Sequence, residues 1–411
     1  MPTEEKLLAT PAPHTLAVWA AGHKAGLLDR SSDRRQYVFA YHPAAESPVA
    51  QVSLTMPVRL ESWVSRDLHP IFQMNLPEGA LLEAIRRAIA KLAGEDDLTI
   101  LRVTGGNQVG RNRFSLPGEA SPGIVETVES LDDLLTYPDT EELFHELVSK
   151  YALRSGISGV QPKVMLDARA RGTAAVGGYI VKSWGGEYPH LAANEYFCMT
   201  AAKKAGLPVP EFFLSDNAGL FVMKRFDMAA DGSSLGLEDM CCLQALGTAQ
   251  KYTSTYERVA KSIKDFVSGE VLQTAREQFF ASLVLSCMVR NGDAHLKNFG
   301  VLYEHPGTLV RLAPVYDVVT TTAYLPKDVP ALALAGTKKW WSRKILEKLA
   351  ITHLTIPVGR VGQIFDEVAD AVAETRPALQ TYMADHPEFK GIGGRMLSAW
   401  DEGVVGTVSH P

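Results

Sequence analysis

The sequence lacks an apolar run long enough to cross a membrane. Its longest run, residues 279–289, is shorter than the roughly 20 residues that a transmembrane helix needs. The first residues of the chain contain no apolar core of a secretion signal. Only four cysteines are present, and the adjacent pair Cys241 and Cys242 lacks the spacing of metal ligands. These absences predict a cytoplasmic protein with reduced cysteines that makes no contact with a membrane.

The chain also lacks an excess of positive charge. Its formal net charge is −6 over 411 residues, so we do not expect it to bind nucleic acid on its own, although a partner could. No internal repeat or low-complexity tract stands out, and a hydrophobic content of 46% is ordinary for a globular protein. The length predicts two or three domains with a substantial core.

Apolar and polar residues alternate in the N-terminal part of the sequence, which is typical of half-buried strands. Residues 1–13 are predicted to form a loose arm. Strands are predicted at 15–20, 36–41 and 52–56, with a turn at 22–26 and a helix at 80–93. These segments predict a small α+β unit that ends near residue 118.

Residues 105–110 form a glycine cluster close to Arg111 and Arg113. Glycine lets backbone N–H groups approach an anion, so the cluster could cradle a phosphate. A tight structural turn is the favoured interpretation, because no clear helix begins after the cluster to supply an N-terminus for an anion. The proline- and glycine-rich residues 117–130 are interpreted as a linker, and residues 131–151 predict acidic helical segments.

A second glycine loop, residues 154–162, precedes a predicted apolar strand. This pattern is typical of a nucleotide-binding hairpin, although a plain hairpin turn explains it equally well. The strand predicted at 179–183 contains Lys182, which either faces solvent or meets a phosphate. A helix is predicted at 192–205, and paired strands at 209–214 and 220–226.

The strand pattern largely ceases after Asp227. Helices are predicted at 237–247, 254–266, 270–290, 341–350, 357–374 and 391–400. A hairpin within residues 299–319 interrupts them and is expected to bring Asp317 beside residues 291–298. A β-rich half therefore precedes a mostly helical half.

Residues 291–298, Asn-Gly-Asp-Ala-His-Leu-Lys-Asn, follow the apolar run 279–289. Polar groups this dense at the end of a buried helix cost free energy unless something binds there. Together with Asp317, the side chains of Asp293 and Asn298 offer the hard oxygen ligands that Mg²⁺ prefers beside substrate phosphates. This order of an Asp, an Asn and a later Asp is the layout of the phosphotransfer site of protein kinases.

Each polar residue of this loop has a predicted task. Asn298 and Asp317 are reasonable Mg²⁺ ligands, which leaves Asp293 to orient or deprotonate a hydroxyl nucleophile. Lys297 could neutralise charge on the transferred phosphoryl group, and His295 is predicted to stabilise the loop rather than to bind metal. The alternative is a polar turn in which Asp293 and Asn298 cap their neighbours.

Several short stretches together resemble the HipA family of bacterial toxin-type serine/threonine kinases. They are residues 157–163, 179–183, 194–195, 205–210, 224–227, 291–298 and 314–317, with 75–79 and 105–110 resembling the extra N-terminal subdomain of that family. The resemblance implies an α+β, two-lobed protein-kinase-like fold. The predicted domains are a HipA-type subdomain at 1–118, a β-rich kinase lobe at 119–228 and a mostly helical lobe at 229–411.

The resemblance also implies which residues bind ATP and Mg²⁺. Asp293 would be the catalytic aspartate, and Asn298 and Asp317 would hold the metal. Lys182 would contact the ATP phosphates, and Lys224 and Phe226 would meet the adenine. The other implied nucleotide contacts are Ser158, Gly159, Val160, Gln161, Lys163, His295 and Lys297.

As for partners, the resemblance implies a toxin that phosphorylates an aminoacyl-tRNA synthetase, with glutamyl-tRNA synthetase as the first expectation. Inhibited translation would then cause growth arrest or persistence. A HipB-like helix-turn-helix antitoxin would bind the kinase, and DNA would be contacted only through that antitoxin. The alternative functions are a small-molecule phosphotransferase and a catalytically inactive corepressor scaffold.

The sequence departs from the best-known members of the family at the start of the phosphate loop. Gly156 stands where those members carry an inhibitory autophosphorylated serine, and Ser155 and Ser158 flank it. We predict autophosphorylation at Ser158, with Ser155 as the second candidate. A phosphate there would compete with the phosphates of ATP for the same N–H groups.

Overall fold

The structure of the protein is a computed structural model. It describes residues 14–31, 33, 35–45, 48–89, 96–123, 128–158, 161–169 and 176–408. The predicted N-terminal arm, the end of the helix predicted at 80–93, and the predicted phosphate contacts Gly159 and Val160 lie outside the described residues. The chain divides into two compact units, one formed by 1–183, 215–248 and 302–310 and the other by 184–214, 249–301 and 311–411.

The secondary structure alternates between short strands and helices before it becomes mainly helical. The strands are β1 (Thr15–Ala20), β2 (His23–Arg30), β3 (Tyr37–Tyr41), β4 (Trp63–Ser65), β5 (Asn112–Ser115), β6 (Val128–Ser130), β7 (Lys163–Arg169), β8 (Val176–Lys182), β9 (Phe212–Leu214), β10 (Phe221–Lys224), β11 (Gly236–Asp239), β12 (Gly300–Tyr303) and β13 (Arg311–Leu312). The helices are α1 (Pro70–Gln73), α2 (Gly79–Ile89), α3 (Asp97–Thr104), α4 (Leu131–Thr136), α5 (Thr140–Tyr151), α6 (Leu191–Lys204), α7 (Met240–Leu243), α8 (Tyr256–Phe266), α9 (Leu272–Met288), α10 (Arg343–Thr352), α11 (Val358–Asp385) and α12 (Lys390–Val408). Within the described ranges, no helix has both the length and the apolar character that a membrane crossing requires.

The N-terminal part of the first unit is an antiparallel sheet in the order β4-β3-β2-β1-β5. Two predictions for this region are wrong. β2 already begins at His23, because Ala21 and Gly22 both adopt the positive φ angles that a two-residue hairpin turn requires. Residues 52–56 form a tight turn instead of a strand, since the hydroxyl of Ser53 accepts a hydrogen bond from the Thr55 N–H and so competes with strand pairing.

The second sheet of the first unit contains β6, β7, β8 and β10 in that order. β6 runs parallel to β7, and β7 pairs with β8 in an antiparallel register that places Lys163 opposite Lys182. The predicted acidic helices are confirmed as α4 and α5, which lie between β6 and β7 in the chain. Ser130 and Asp139 cap their N-termini by accepting backbone N–H groups, which fixes where each helix begins.

The second unit is organised around α9, whose residues from Phe279 to Met288 are all buried. α11 and α12 pack against it, and each large apolar side chain that they bury contributes roughly 1.5–3 kcal/mol. The predicted buried helix is therefore confirmed, and so is the hairpin at 299–319, where the Ala313 N–H donates to the Gly300 carbonyl at 2.8 Å.

Two predictions for the C-terminal half need correction. Residues 237–247 are not one helix but β11 followed by the single turn α7, because the Asp239 carboxylate caps the N–H of Cys242 and Ala245 adopts a positive φ. The helix predicted at 357–374 extends to Asp385 through Pro377. Leu379, beyond this proline, is fully buried, and such packing outweighs the hydrogen bond that a proline removes.

Candidate active site

The loop 291–298 follows a sharp end of helix α9. Arg290 has φ 56°, and the Asn291 N–H donates to the Ser286 carbonyl at 2.8 Å. These are the features of a Schellman helix end, in which a left-handed residue terminates the helix. The Arg290 guanidinium lies 4.8 Å from the centre of the Trp340 ring, which is within the range of a cation–π contact.

Hydrogen bonds within the loop then define its path. The Asp293 N–H donates to Asn291 Oδ1 at 3.1 Å, and the His295 N–H lies within hydrogen-bond distance of the Asp293 carbonyl at 2.8 Å. The Gly292 N–H donates to the Thr321 hydroxyl at 2.8 Å. The loop is therefore held by its own side chains and by the segment that follows Asp317.

Asp293 is half-buried and accepts a hydrogen bond on Oδ1 from the Tyr252 hydroxyl at 2.8 Å. Burial raises the pKa of Asp293 to about 6, and the neighbouring carboxylates of Asp317 and Asp328 act in the same direction. The hydrogen bond from Tyr252 and the charge of Lys251 oppose that increase. A carboxylate with a pKa near 6 can accept a proton from a substrate hydroxyl more readily than an ordinary aspartate.

Asn298 and Asp317 lie side by side, with Asn298 Nδ2 donating to Asp317 Oδ2 at 3.0 Å. Asn298 Oδ1 accepts the His295 N–H at 3.0 Å and retains a second lone pair. No group of three or more His, Cys, Asp or Glu side chains suited to a metal occurs among the residues that the structure describes. Two protein ligands nevertheless fit Mg²⁺, which usually takes its remaining ligands from phosphates and water.

The backbone of Asp317 is held in an unusual conformation. Its φ is 63°, a left-handed angle that non-glycine residues adopt mainly at special sites. Three residues later, Thr320 is clamped by the buried amide of Asn194, which accepts the Thr320 N–H at 2.8 Å and donates to its carbonyl at 3.1 Å. The Trp400 indole donates to the Thr320 hydroxyl at 2.8 Å. These contacts fix the segment that presents Asp317.

His295 and Lys297 occupy different environments in the same loop. Burial and the charge of Lys251 lower the pKa of His295 to about 4, so its imidazole is neutral at pH 7. Its ring packs edge-on against Tyr252, with the centroids 5.1 Å apart. Lys297 is half-buried, and its carbonyl accepts the Tyr316 hydroxyl at 2.7 Å.

In the first unit, two buried lysines share one face of the second sheet. Lys163 and Lys182 are directly opposite each other on β7 and β8, with relative exposures of 6% and 3%. Burial increases the free-energy cost of each charge, which polar or charged contacts offset. Gln161 lies nearby in the chain, and its amide donates to the Ser183 carbonyl at 3.1 Å.

The two candidate serines differ strongly in accessibility. Ser155 is fully buried, where its hydroxyl donates to the Tyr151 carbonyl at 2.8 Å and accepts the Met165 N–H at 3.0 Å. Ser158 is half-buried. Gly156 bridges residues 107 and 109 through its backbone, and a Cβ there would overlap the side chain of Gln108. This close approach leaves no room for a side chain at position 156.

Lys224 and Phe226 flank a buried ion pair that the sequence analysis did not identify. Arg225 Nη2 lies 2.7 Å from Asp227 Oδ2, and the same oxygen accepts the Gly110 N–H at 2.7 Å. Burial opposes ionisation of Asp227, but the Arg225 guanidinium holds the pKa of the carboxyl below its usual range. The 105–110 turn is thereby fastened to the segment that carries Lys224, which is itself exposed, and Phe226.

Two protein-family models match this chain and show the family to which it belongs. The model described as the HipA-like C-terminal domain matches residues 155–376, and the model of the HipA N-terminal domain matches residues 16–115. The chain belongs to the HipA family. The family resemblance inferred from the short motifs is therefore confirmed.

Individual relatives agree with this assignment. A Sinorhizobium fredii protein named "Putative kinase Y4mE" is 28% identical over 87% of this chain and 91% of its own length. A Haemophilus influenzae protein named "Putative kinase" is 32% identical, but the match covers only 41% of this chain and 53% of the relative. The chain thus spans about half the length of the Haemophilus relative that it matches.

A solved structure confirms the fold. HipA in the toxin–antitoxin complex of Shewanella oneidensis with HipB and its operator DNA has a TM-score of 0.69 at 18% identity, and the match covers 96% of this chain and 98% of that one. The predicted α+β, two-lobed HipA-like fold is therefore confirmed.

The structure distributes the predicted site residues of this HipA-family chain over both units. Asp293, His295, Lys297, Asn298 and Asp317 come together in the second unit, whereas Ser155, Ser158, Gln161, Lys163, Lys182, Lys224 and Phe226 belong to the first. Sequence reasoning missed Tyr252, which contacts Asp293 from a turn before α8. No local pattern identifies that contact, because it joins residues 41 positions apart.

Proposed function

We propose that this protein is an ATP- and Mg²⁺-dependent protein serine/threonine kinase that acts as the toxin of a type II toxin–antitoxin system. The observation that carries the proposal is the grouping of Asp293 with the adjacent pair Asn298 and Asp317 in a chain of the HipA family. That grouping supplies a base and two metal ligands, which phosphoryl transfer requires.

In this proposal, each residue of the second unit has a defined role. Asp293 orients the acceptor hydroxyl and takes up its proton. Asn298 and Asp317 hold Mg²⁺, which neutralises phosphate charge when it is bound. Lys297 contributes a further positive charge at the transferred phosphoryl group, and the neutral His295 supports the loop beside the nucleotide.

The residues of the first unit are assigned to ATP. Lys163 and Lys182 form a buried pair of positive charges on one face of a sheet, which supports a role in binding phosphate. Ser158, Gly159, Val160 and Gln161 complete the proposed phosphate loop, and the backbone of Lys224 and Phe226 meets the adenine. The predicted domain boundaries at residues 118 and 228 are part of the same proposal.

The protein substrate and partners are also proposed. The favoured substrate is an aminoacyl-tRNA synthetase, with glutamyl-tRNA synthetase first, so that phosphorylation inhibits translation and causes growth arrest or persistence. The partner is a HipB-like helix-turn-helix antitoxin that mediates any contact with DNA. The Shewanella oneidensis relative was solved with HipB and operator DNA, which supports this choice. Autophosphorylation is assigned to Ser158, because the hydroxyl of Ser155 is buried and already bonded.

The proposal is tested by incubating the purified chain with γ-labelled ATP and Mg²⁺, alone and with glutamyl-tRNA synthetase. We expect label on both proteins, and a decrease of about 10²–10⁴-fold in Asp293→Asn, because general-base catalysis contributes that much. Asp366→Asn is the control, since Asp366 is an exposed aspartate on α11.

Each alternative function predicts a different outcome of this experiment. A corepressor scaffold would label neither protein, and a small-molecule phosphotransferase would label only an added small acceptor. Label on the chain but not on the synthetase would retain the kinase and reject the substrate. A phosphoproteome after induced expression, compared with Asp317→Gln, would then identify the true substrate.

A further inference from the structure

Tyr252 contacts the candidate catalytic carboxylate from outside the loop 291–298. Its hydroxyl donates to Asp293 Oδ1 at 2.8 Å, and its ring packs edge-on against His295. The residue is 41% exposed, so burial of an apolar ring does not account for its placement. A phenol that reaches a half-buried carboxylate is a specific polar contact.

The backbone on both sides of Tyr252 is tied down within the second unit. The Leu296 N–H donates to the Lys251 carbonyl at 3.2 Å, which joins the Tyr252 turn to the loop 291–298. On the other side, Lys338 Nζ donates to the Tyr252 carbonyl at 3.0 Å. The Thr253 N–H closes the turn by donating to the Gln250 carbonyl at 3.0 Å. The phenol is therefore presented to Asp293 from a fixed backbone.

The contact has two physical consequences for Asp293. The Tyr252 hydroxyl donates to one oxygen of the Asp293 carboxylate and so fixes the side-chain torsion of Asp293. A carboxylate has a second oxygen, which can accept a hydrogen bond from the hydroxyl that receives the phosphoryl group. The contact also stabilises the ionised form, because a donated hydrogen bond favours a carboxylate over a carboxylic acid. The other charged groups that act on Asp293 are Asp317 and Asp328, which favour protonation, and Lys251, which opposes it.

We propose that Tyr252 is a positioning residue that holds the Asp293 carboxylate in the ionised, oriented state needed to receive the proton of the acceptor hydroxyl. This inference rests on the proposed kinase function, since it assumes that Asp293 is the base. The acceptor hydroxyl passes its proton to Asp293 as its oxygen attacks the γ-phosphorus of ATP, and ADP leaves.

A different role for the same contact makes the opposite kinetic prediction. If the Tyr252 hydroxyl merely stands in for the acceptor hydroxyl, the substrate must displace it. Removing the hydroxyl would then increase kcat/KM. If Tyr252 positions Asp293, removing the hydroxyl decreases kcat and leaves KM for the acceptor nearly unchanged.

The test is Tyr252→Phe, measured as the initial rate of transfer from γ-labelled ATP at varied acceptor concentration and pH. We expect kcat to fall about 10- to 100-fold, since a hydrogen bond to a charged group is lost. The acidic limb of the pH profile should move to higher pH. Tyr188→Phe is the matched control, because Tyr188 is 40% exposed and its ring contacts Tyr324. That variant should retain the wild-type rate and pH profile.

A double-mutant cycle distinguishes action through Asp293 from a general structural effect. In the Asp293→Asn background, Tyr252→Phe should cause no further decrease in rate, because the group on which it acts has already been neutralised. Equal decreases in both backgrounds would overturn the inference, and so would an unchanged kcat in the single variant.

Failure of the proposed function has a separate signature. Wild-type protein without any phosphoryl transfer would reject the kinase proposal, whatever Tyr252 does. The effect of Tyr252 on the ionisation of Asp293 is then tested by ¹³C NMR titration of the aspartate carboxylates in protein free of nucleotide and metal. An upward shift of the Asp293 titration in Tyr252→Phe supports the inference, and an unchanged titration overturns it.

Discussion

The two candidate loops, 155–163 in the first unit and 291–298 in the second, are stabilised in different ways. Among the residues that the structure describes, the first has hydrogen bonds from Ser155, Gly156 and Gln161. The second is bonded along its whole length and is also contacted by Thr321 and Tyr252.

This difference matches the tasks that we propose for the two loops. Groups that act on a transition state are most effective when their positions are set before the substrate arrives. The loop 291–298 meets that requirement with contacts from several elements of its own unit. For the loop 155–163, we propose that it binds phosphate and is itself modified, and its described contacts are those of Ser155, Gly156 and Gln161.

The largest effect on the rate is expected from glycine substitutions that distort one of the two loops at a time. A Cβ on Gly292 would overlap the Asp328 carboxylate and lie 2.8 Å from the Thr321 hydroxyl. Gly292→Ala should therefore shift Asp293 and reduce kcat by about 100-fold, as small misplacements of catalytic groups do. The measurement is the rate of transfer from γ-labelled ATP.

The matched change in the first unit is Gly156→Ala, which collides with Gln108. We expect it to raise KM for ATP and to leave kcat less affected than Gly292→Ala does. Gly185→Ala is the control, because a Cβ there would have no neighbour within 4 Å. Equal decreases in kcat for both loop variants would contradict the distinction between the loops.

The contrast between the loops also explains which features could be predicted from the sequence. The loop 291–298 has a local pattern, an apolar helix followed by Asn-Gly-Asp, and the hairpin to Asp317 is short. The contacts that complete it are distant in sequence, as with Tyr252 and with Asn194, which holds Thr320 over 126 positions. No spacing rule covers such pairs, because tertiary packing decides them.

The errors in secondary structure have a similar origin. The alternation of apolar and polar residues at 52–56 is the same as that of a strand. The hydrogen bond from the Thr55 N–H to the Ser53 hydroxyl favours a turn instead. Residues 237–247 had helical composition, but the Asp239 cap delayed the helix to Met240. Capping and turn contacts of this kind shift boundaries without changing composition.

The next largest effect is the pH dependence of kcat/KM, which we attribute to the loop 291–298 alone. Because burial raises the pKa of Asp293 to about 6, the base becomes protonated as the pH falls through that value. We expect kcat/KM to decrease about tenfold per pH unit below it and to be nearly constant above pH 7. The profile is measured by labelled transfer from pH 5 to pH 8.

A variant in the first unit tests whether the titration of Asp293 causes this pH profile. Lys182→Ala should lower the rate at every pH, but the acidic limb should stay near pH 6, since Asp293 is unchanged. A limb that moves with Lys182→Ala would show that the titrating group is not confined to the second unit. A wild-type profile that stays flat down to pH 5 would instead indicate an ordinary aspartate.

The smallest effect concerns the two serines beside Gly156. Ser155→Ala removes the acceptor of the Met165 N–H, and a buried donor left without its partner costs about 1–3 kcal/mol of unfolding free energy. Ser158→Ala should change stability by less than about 0.5 kcal/mol, as is usual for partly exposed positions. Denaturant unfolding of the two variants measures this difference.

The same pair of variants locates the autophosphorylation site. We expect label from γ-labelled ATP to disappear in Ser158→Ala and to persist in Ser155→Ala, because the Ser155 hydroxyl is buried and bonded to two backbone groups. Mass spectrometry of the loop peptide, with Asp293→Asn as the unmodified reference, identifies the site directly. Phosphate on Ser155 would mean that its hydrogen bonds to the backbone of Tyr151 and Met165 break before phosphoryl transfer. That result would contradict the assignment of autophosphorylation to Ser158.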